Sequence, residues 1–175
     1  MPTKVINNII LVGFMGTGKT TVGKLLAANL LWTYIDTDTL IEQQTRMKIS
    51  AIFSRHGESY FRDVESVVIR EVMQHNQQIV STGGGIVFRE ENISVMKSNG
   101  IIVCLTAAPK IIYERTKSDE DRPLLKVENP LLQIRELLAV RSLFYAKADI
   151  TIDTTNISPE NIVQQLLLIA KKLTG

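Results

Sequence analysis

Eight consecutive residues, Gly13-Phe14-Met15-Gly16-Thr17-Gly18-Lys19-Thr20, restrict this chain more than any other stretch. They satisfy the pattern Gly-x4-Gly-Lys-Ser/Thr. In that pattern glycines let successive backbone N–H groups turn inward around phosphate oxygens, the lysine reaches the β- and γ-phosphates, and the hydroxyl binds Mg2+. Gly16, Thr17, Gly18, Lys19, Thr20 and Thr21 are therefore candidate nucleotide-binding residues. The flanks support the motif. Asn8 to Val12 is a short apolar run suited to a buried strand, and Lys19 to Leu31 is amphipathic. Strand, loop and helix in that order put phosphate at a helix N-terminus, where orphan N–H groups and the helix dipole favour negative charge.

Further strand-like runs at Trp32 to Ile35, Gln78 to Ser81, Ile101 to Leu105 and Ile150 to Ile152 are separated by helical stretches. This alternation predicts an α/β fold: a parallel sheet of about five strands with helices on both faces and ligands beyond the strands' C-terminal ends. A length of 175 residues, 45% of them hydrophobic, with 5 Pro and 10 Gly, suits one domain over 1–175. The net charge of +2 gives no case for a nucleic-acid or membrane surface, so any cationic chemistry must be local. One cysteine, Cys104, excludes an intramolecular disulfide and a cysteine metal cluster. With no leader, long apolar span or lipidation motif, a cytoplasmic protein is expected, and a monomer is the simplest oligomeric state.

Four stretches carry candidate chemistry. Asp36-Thr37-Asp38 stands where the chain leaves the second strand; one aspartate suits the N-cap of a helix beginning near Thr39, and the pair suits a metal and a hydroxyl to be activated. Between Ser59 and Gln74, Phe61, Val64, Val68 and Val72 form a core-facing stripe, with Arg62 and Glu65 on its shoulder as an i, i+3 pair. Gly83-Gly84-Gly85 follows the third strand, where it is either a plain turn or a place for a ligand to approach the backbone. The charged run Lys117 to Arg122, stopped by Pro123, predicts an exposed mobile flap.

Arg141 is the oddity. In a helix from about Pro130 to Lys147 it shares the apolar face of Ile134, Leu137, Leu138, Phe144 and Tyr145. An inward guanidinium needs an anionic partner. It pairs internally with Glu65 or Asp38, reaches out to water, or joins Arg62 in holding a substrate carboxylate, which its planar fork suits. His56 and His75 have no neighbouring ligands and are expected on helix surfaces.

In this order and spacing the motifs resemble those of the shikimate kinase family, within the nucleoside monophosphate kinase-like group of P-loop enzymes. The resemblance covers nearly the whole chain, resting on Gly13 to Thr20, Asp36-Thr37-Asp38, Phe61-Arg62 with Glu65, Gly83 to Gly85, Arg122-Pro123-Leu124-Leu125, and Arg141 with Tyr145. It implies a three-layer αβα fold with strand order 2-3-1-4-5 and a mobile lid at about 117–128. The implied reaction is transfer of the ATP γ-phosphate to the 3-hydroxyl of shikimate, in aromatic amino acid biosynthesis, with Mg2+ as cofactor. By the same resemblance Asp38 would orient or deprotonate the acceptor hydroxyl. Arg62, Arg141 and the Gly83-Gly84-Gly85 backbone would hold the shikimate, and Glu65 would position Arg62. Lys19 and Arg122 would neutralise the transferring group; Thr20 would bind Mg2+ directly and Asp36 through water. Two departures stand out. Ile79-Val80 ends in Ser81-Thr82 rather than an acid, leaving the Mg2+ carboxylate to Asp36, and Asn156-Ile157 leaves adenine to backbone contacts or stacking by Arg115. A gluconate-type kinase would share the phosphate loop but needs a different acceptor pocket. A non-catalytic nucleotide-binding module would not need Lys19, Asp38 and Arg122 intact.

Overall fold

A computed structural model describes residues 6–119 and 123–174. Five strands, β1 (Asn8–Val12), β2 (Thr33–Asp36), β3 (Gln78–Ser81), β4 (Ile101–Thr106) and β5 (Ile150–Asp153), alternate with helices α1 (Lys19–Leu30), α2 (Thr37–Thr45), α3 (Ile49–Val72), α4 (Glu90–Ser98), α5 (Pro109–Thr116), α6 (Pro130–Tyr145) and α7 (Pro159–Thr174). The strands form one sheet in the order 2-3-1-4-5, and every neighbouring pair is parallel. The expected strand order is therefore the one found. β1 lies at the centre and is buried along its whole length, which is why its sequence is a continuous apolar run rather than an alternation.

Alternate residues of β1 feed two apolar clusters. Ile9 and Leu11 pack with Val22 and Leu26 of α1 and Ile162, Val163 and Leu166 of α7. Ile10 and Val12 pack with Ile41 of α2, Phe61 and Val68 of α3, Met96 of α4, Ile112 of α5 and Ile134 of α6. The period-2 geometry of a strand thus produces the helix, sheet, helix layering. Cys104 is buried in the second cluster, and burial pushes its thiol up to about 11.

Four local expectations change. β2 begins at Thr33 rather than Trp32, and α2 begins at Thr37 rather than Thr39, because Asp36 is its cap: the carboxylate Oδ1 accepts from the Thr39 N–H at 3.0 Å. α3 runs back to Ile49 but breaks at Gly57, whose φ of 82° and ψ of 175° are not helical, so the Phe61 stripe belongs to its second half. His75 lies in the turn after α3, not on a helix, and its carbonyl accepts from the side chains of Asn8 and Asn99. His56 is exposed on α3, as expected. No described helix is long and apolar enough to cross a membrane.

Candidate active site

The parallel sheet directs the C-terminal ends of β1, β2 and β3 to one rim, and a cavity of about 480 Å³ opens there. One wall is the phosphate loop with Gly16, Gly18, Lys19, Thr20 and Thr21; the other brings together Asp36, Asp38, Arg62, Glu65, Gly83, Gly84, Gly85 and Arg141. Residues separated by more than a hundred positions therefore face one volume, of a size suited to small ligands.

The loop is built to receive an anion. Gly16 and Gly18 hold φ values of 74° and 99°, a region side chains avoid, and Gly18 stands at the α1 N-cap with no side-chain cap bond. The first turn of α1 carries no acid. Its N–H groups and positive dipole end are left for a ligand. Thr17 is buried, and its hydroxyl is spent within the loop, donating to the Phe14 carbonyl at 2.7 Å. It does not line the cavity with its neighbours. Lys19 Nζ donates to the carbonyls of Gly13 and Phe14, at 2.8 and 3.0 Å, so the ammonium is held across the loop mouth.

Arg115 also lies outside the cavity wall. It straps the loop to the end of β5: its guanidinium donates to Gly16 O at 3.1 Å and to Thr154 O at 2.9 Å. Thr154, 1% exposed, completes this junction, its hydroxyl lying 3.0 Å from Thr17 O and 2.9 Å from Thr106 O. Sequence reasoning missed Thr154, since a lone threonine at a strand end carries no spacing signal. Asn156 is exposed just beyond it.

On the opposite wall, Arg62 Nη1 pairs with Glu65 Oε2 at 2.8 Å, and the same guanidinium meets Glu58 at 3.1 Å. The i, i+3 pair is buried rather than superficial: the Glu65 side chain is fully enclosed and its Oε1 has no hydrogen-bond partner. Burial pushes its carboxyl up to about 7, with the Arg62 charge opposing that rise. Arg141 is 9% exposed and makes no ion pair with a described carboxylate, which leaves the internal-pair reading without support. Its guanidinium lies 5.2 Å from the Phe14 ring centre and 5.4 Å from that of Phe88, while Arg62 lies 5.2 Å from the same Phe88. Phe88 thus supports both cations. It sits in a short 3-10 turn, Ile86–Phe88, where no periodicity could have marked it.

The glycine triplet fits between these arginines. A Cβ on Gly85 would collide with the Arg62 guanidinium, one on Gly84 would lie 2.9 Å from Arg141 Nη1, and one on Gly83 would lie 2.8 Å from Asp38 Oδ1. Close approach, not simple turning, explains the three glycines. Tyr145 donates to the Gly84 carbonyl at 2.8 Å, fixing the triplet to α6.

The oxygen donors suit a hard cation. Thr20, Asp36 and Asp38 line one cavity, and among the described residues no group of three or more His, Cys, Asp or Glu forms a protein-only cage. That donor set fits Mg2+, which is commonly held by one or two protein oxygens together with substrate phosphates. Arg122, expected in the catalytic set, falls outside the described residues, as does the centre of the flap; Leu124, two residues on, reaches the cavity wall.

Comparison with known proteins agrees with this arrangement. Residues 15–171 match the family model described as shikimate kinase. A shikimate kinase from Thermodesulfovibrio yellowstonii is 46% identical over 170 residues, covering 97% of this chain and 98% of that one. Among solved structures, shikimate kinase from Acinetobacter baumannii in complex with shikimate is 38% identical with a TM-score of 0.90, covering 97% of this chain and 95% of its own. Shikimate kinase from Bacteroides thetaiotaomicron superposes with a TM-score of 0.87 at 29% identity, covering 94% and 98%. On the phosphate loop, the sheet order and this extent of similarity, the chain belongs to the shikimate kinase family.

Proposed function

We propose that the enzyme transfers the γ-phosphate of ATP to the 3-hydroxyl of shikimate, releasing ADP and shikimate 3-phosphate. The observation that carries this reading is one cavity with a phosphate loop on one wall and, on the other, a glycine triplet flanked by the buried Arg141 and the partly buried Arg62. Phosphoryl transfer needs positioning and charge neutralisation more than covalent help. The carboxylate of the acceptor would lie between Arg62 and Arg141, with backbone N–H groups of the Gly83 to Gly85 turn beside it. Glu65 holds Arg62 in place for that contact.

Fixed by its acid group, the ring would present its 3-hydroxyl to Asp38. Asp38 orients that hydroxyl and accepts its proton as the oxygen attacks phosphorus and the bond to the β-phosphate oxygen breaks. Lys19 leaves the loop carbonyls to meet the β- and γ-phosphates, and Arg122 neutralises the transferring group. Gly16, Thr17, Gly18 and Thr21 would supply loop N–H groups to the triphosphate, and Arg115 would flank the adenine end. Thr20 directly and Asp36 through water would hold Mg2+, which screens the phosphate charge when bound. Asp36 uses Oδ1 to cap α2, so its Oδ2 is the oxygen available for that role. We read the chain as one catalytic domain, with 117–128 as its lid, acting as a cytoplasmic monomer. The test is ADP release coupled to a redox readout: turnover with shikimate and none with gluconate is expected. Folded, ATP-binding protein that gives no turnover with shikimate would refute the proposal.

A further inference from the structure

Tyr34 has no role in the mechanism above, yet it is built into the metal end of the site. It lies on β2 two residues before Asp36, so both side chains leave the strand on the same face. Its ring packs against α1 where that helix has no side chain: a Cβ on Gly23 would lie 2.8 Å from Tyr34 Cε2. Glycine inside a helix lowers its stability, and here the absent methyl is the space the ring occupies. Lys24, next along α1, places Nζ 5.8 Å from the ring centre. The phenol oxygen then reaches the rim, 3.5 Å from Asp36 Oδ2, where the hydroxyls of Thr20 and Ser81 also face it.

α1 brings Thr20 to the site and β2 brings Asp36, and the two elements are joined at this point by one side chain. We propose that Tyr34 is a positioning residue: its ring fixes the distance of α1 from β2, and its hydroxyl aims Asp36 Oδ2 and the Thr20 hydroxyl at a shared Mg2+. The inference rests on the assignment of Thr20 and Asp36 as the Mg2+ oxygens. A phenol that donates to a carboxylate restricts which lone pairs that carboxylate turns to the metal's water, the usual work of groups in the shell around a metal's direct ligands. If Tyr34 only filled the space between α1 and β2, its hydroxyl would be dispensable.

Tyr34→Phe separates these roles, since it keeps the ring against Gly23 and removes only the hydroxyl. The experiment is calorimetric titration of the whole protein with ADP, in EDTA and across a Mg2+ series, for wild type and Tyr34→Phe. The variant should melt with wild type and bind ADP equally in EDTA, while the Mg2+ concentration that half-saturates its ADP complex rises about tenfold. A wild-type Mg2+ dependence in the variant overturns the inference. Equal loss of ADP affinity with and without Mg2+ also overturns it, and marks Tyr34 as packing for the loop. Wild-type protein whose ADP affinity ignores Mg2+ would instead remove the Thr20 and Asp36 assignment, and the inference with it.

Discussion

Arg62 and Arg141 face the same glycine triplet and share Phe88, but only Arg62 is ion-paired with Glu65, so replacing each by methionine separates recognition from folding. Arg62 faces the enclosed Glu65, whose carboxyl burial raises from 4.5 to about 7. Because the folded value exceeds the unfolded one, the folded state holds this proton longer. The associated stability is complete below pH 4.5 and lost as pH rises to about 7, roughly 3 kcal/mol at 1.36 kcal/mol per unit. Above that point wild type levels off. In Arg62→Met the carboxylate has lost its opposing charge, so Glu65 holds its proton to higher pH, and the variant should go on losing stability above pH 7, on the order of 1 kcal/mol per pH unit. Arg141 makes no ion pair with a described carboxylate, so Arg141→Met should track the wild-type curve. Both variants should raise KM for shikimate about 30-fold, near 2 kcal/mol for a lost charge-assisted contact, with KM for ATP unchanged. Urea unfolding at about pH 6 and about pH 8.5, beside steady-state kinetics, measures both halves. Identical pH responses of the two variants, or a KM for ATP that climbs with that for shikimate, would refute the reasoning.

Lys19→Ala should lower kcat by about 100-fold or more through lost phosphate stabilisation, and a near-normal kcat in a rapid-mixing assay would contradict the loop assignment. Thr154→Val removes the hydroxyl that joins Thr17 O, Thr106 O and Arg115. It should reduce stability by about 2 kcal/mol and raise KM for ATP but not for shikimate, which melting curves and two-substrate kinetics would show. Leu31 ends α1 at a φ of 57° and is 91% exposed. Leu31→Gly should therefore raise the denaturation midpoint by an amount worth about 0.5 kcal/mol, and a fall would reveal packing that the exposure does not indicate.

Much of this molecule is legible in the residues because the informative positions break a pattern. Arg141 stands out as a cation in an apolar stripe, and the structure buries it beside Gly84. Asp36 reads as either a cap or a functional carboxylate, and the structure uses one oxygen for the cap. Other features leave no such trace. Helical periodicity runs through Gly57, so the break in α3 depends on backbone angles that the spacing of Phe61 and Val68 does not encode. Arg115 enters from the sequence only as a candidate to stack on adenine, and its bonds to Gly16 O and Thr154 O become visible only when the fold brings those residues to it. Phe88 and Tyr34 are ordinary apolar placements by sequence, and their importance comes from partners on other elements.

Phe88 has a wider consequence. Two guanidiniums on a small cavity would ordinarily create a field attractive to any passing inorganic anion. With one aromatic ring serving both, part of that positive potential is already satisfied before an acid arrives, and a bare sulfate or phosphate has less to gain. A ligand that also covers the hydrocarbon wall of Ile49, Phe53 and Phe61 recovers the difference. If Arg62 and Arg141 hold the acceptor's carboxylate as proposed, selectivity for an organic acid over simple salt ions would be a property of the ring as much as of the charges.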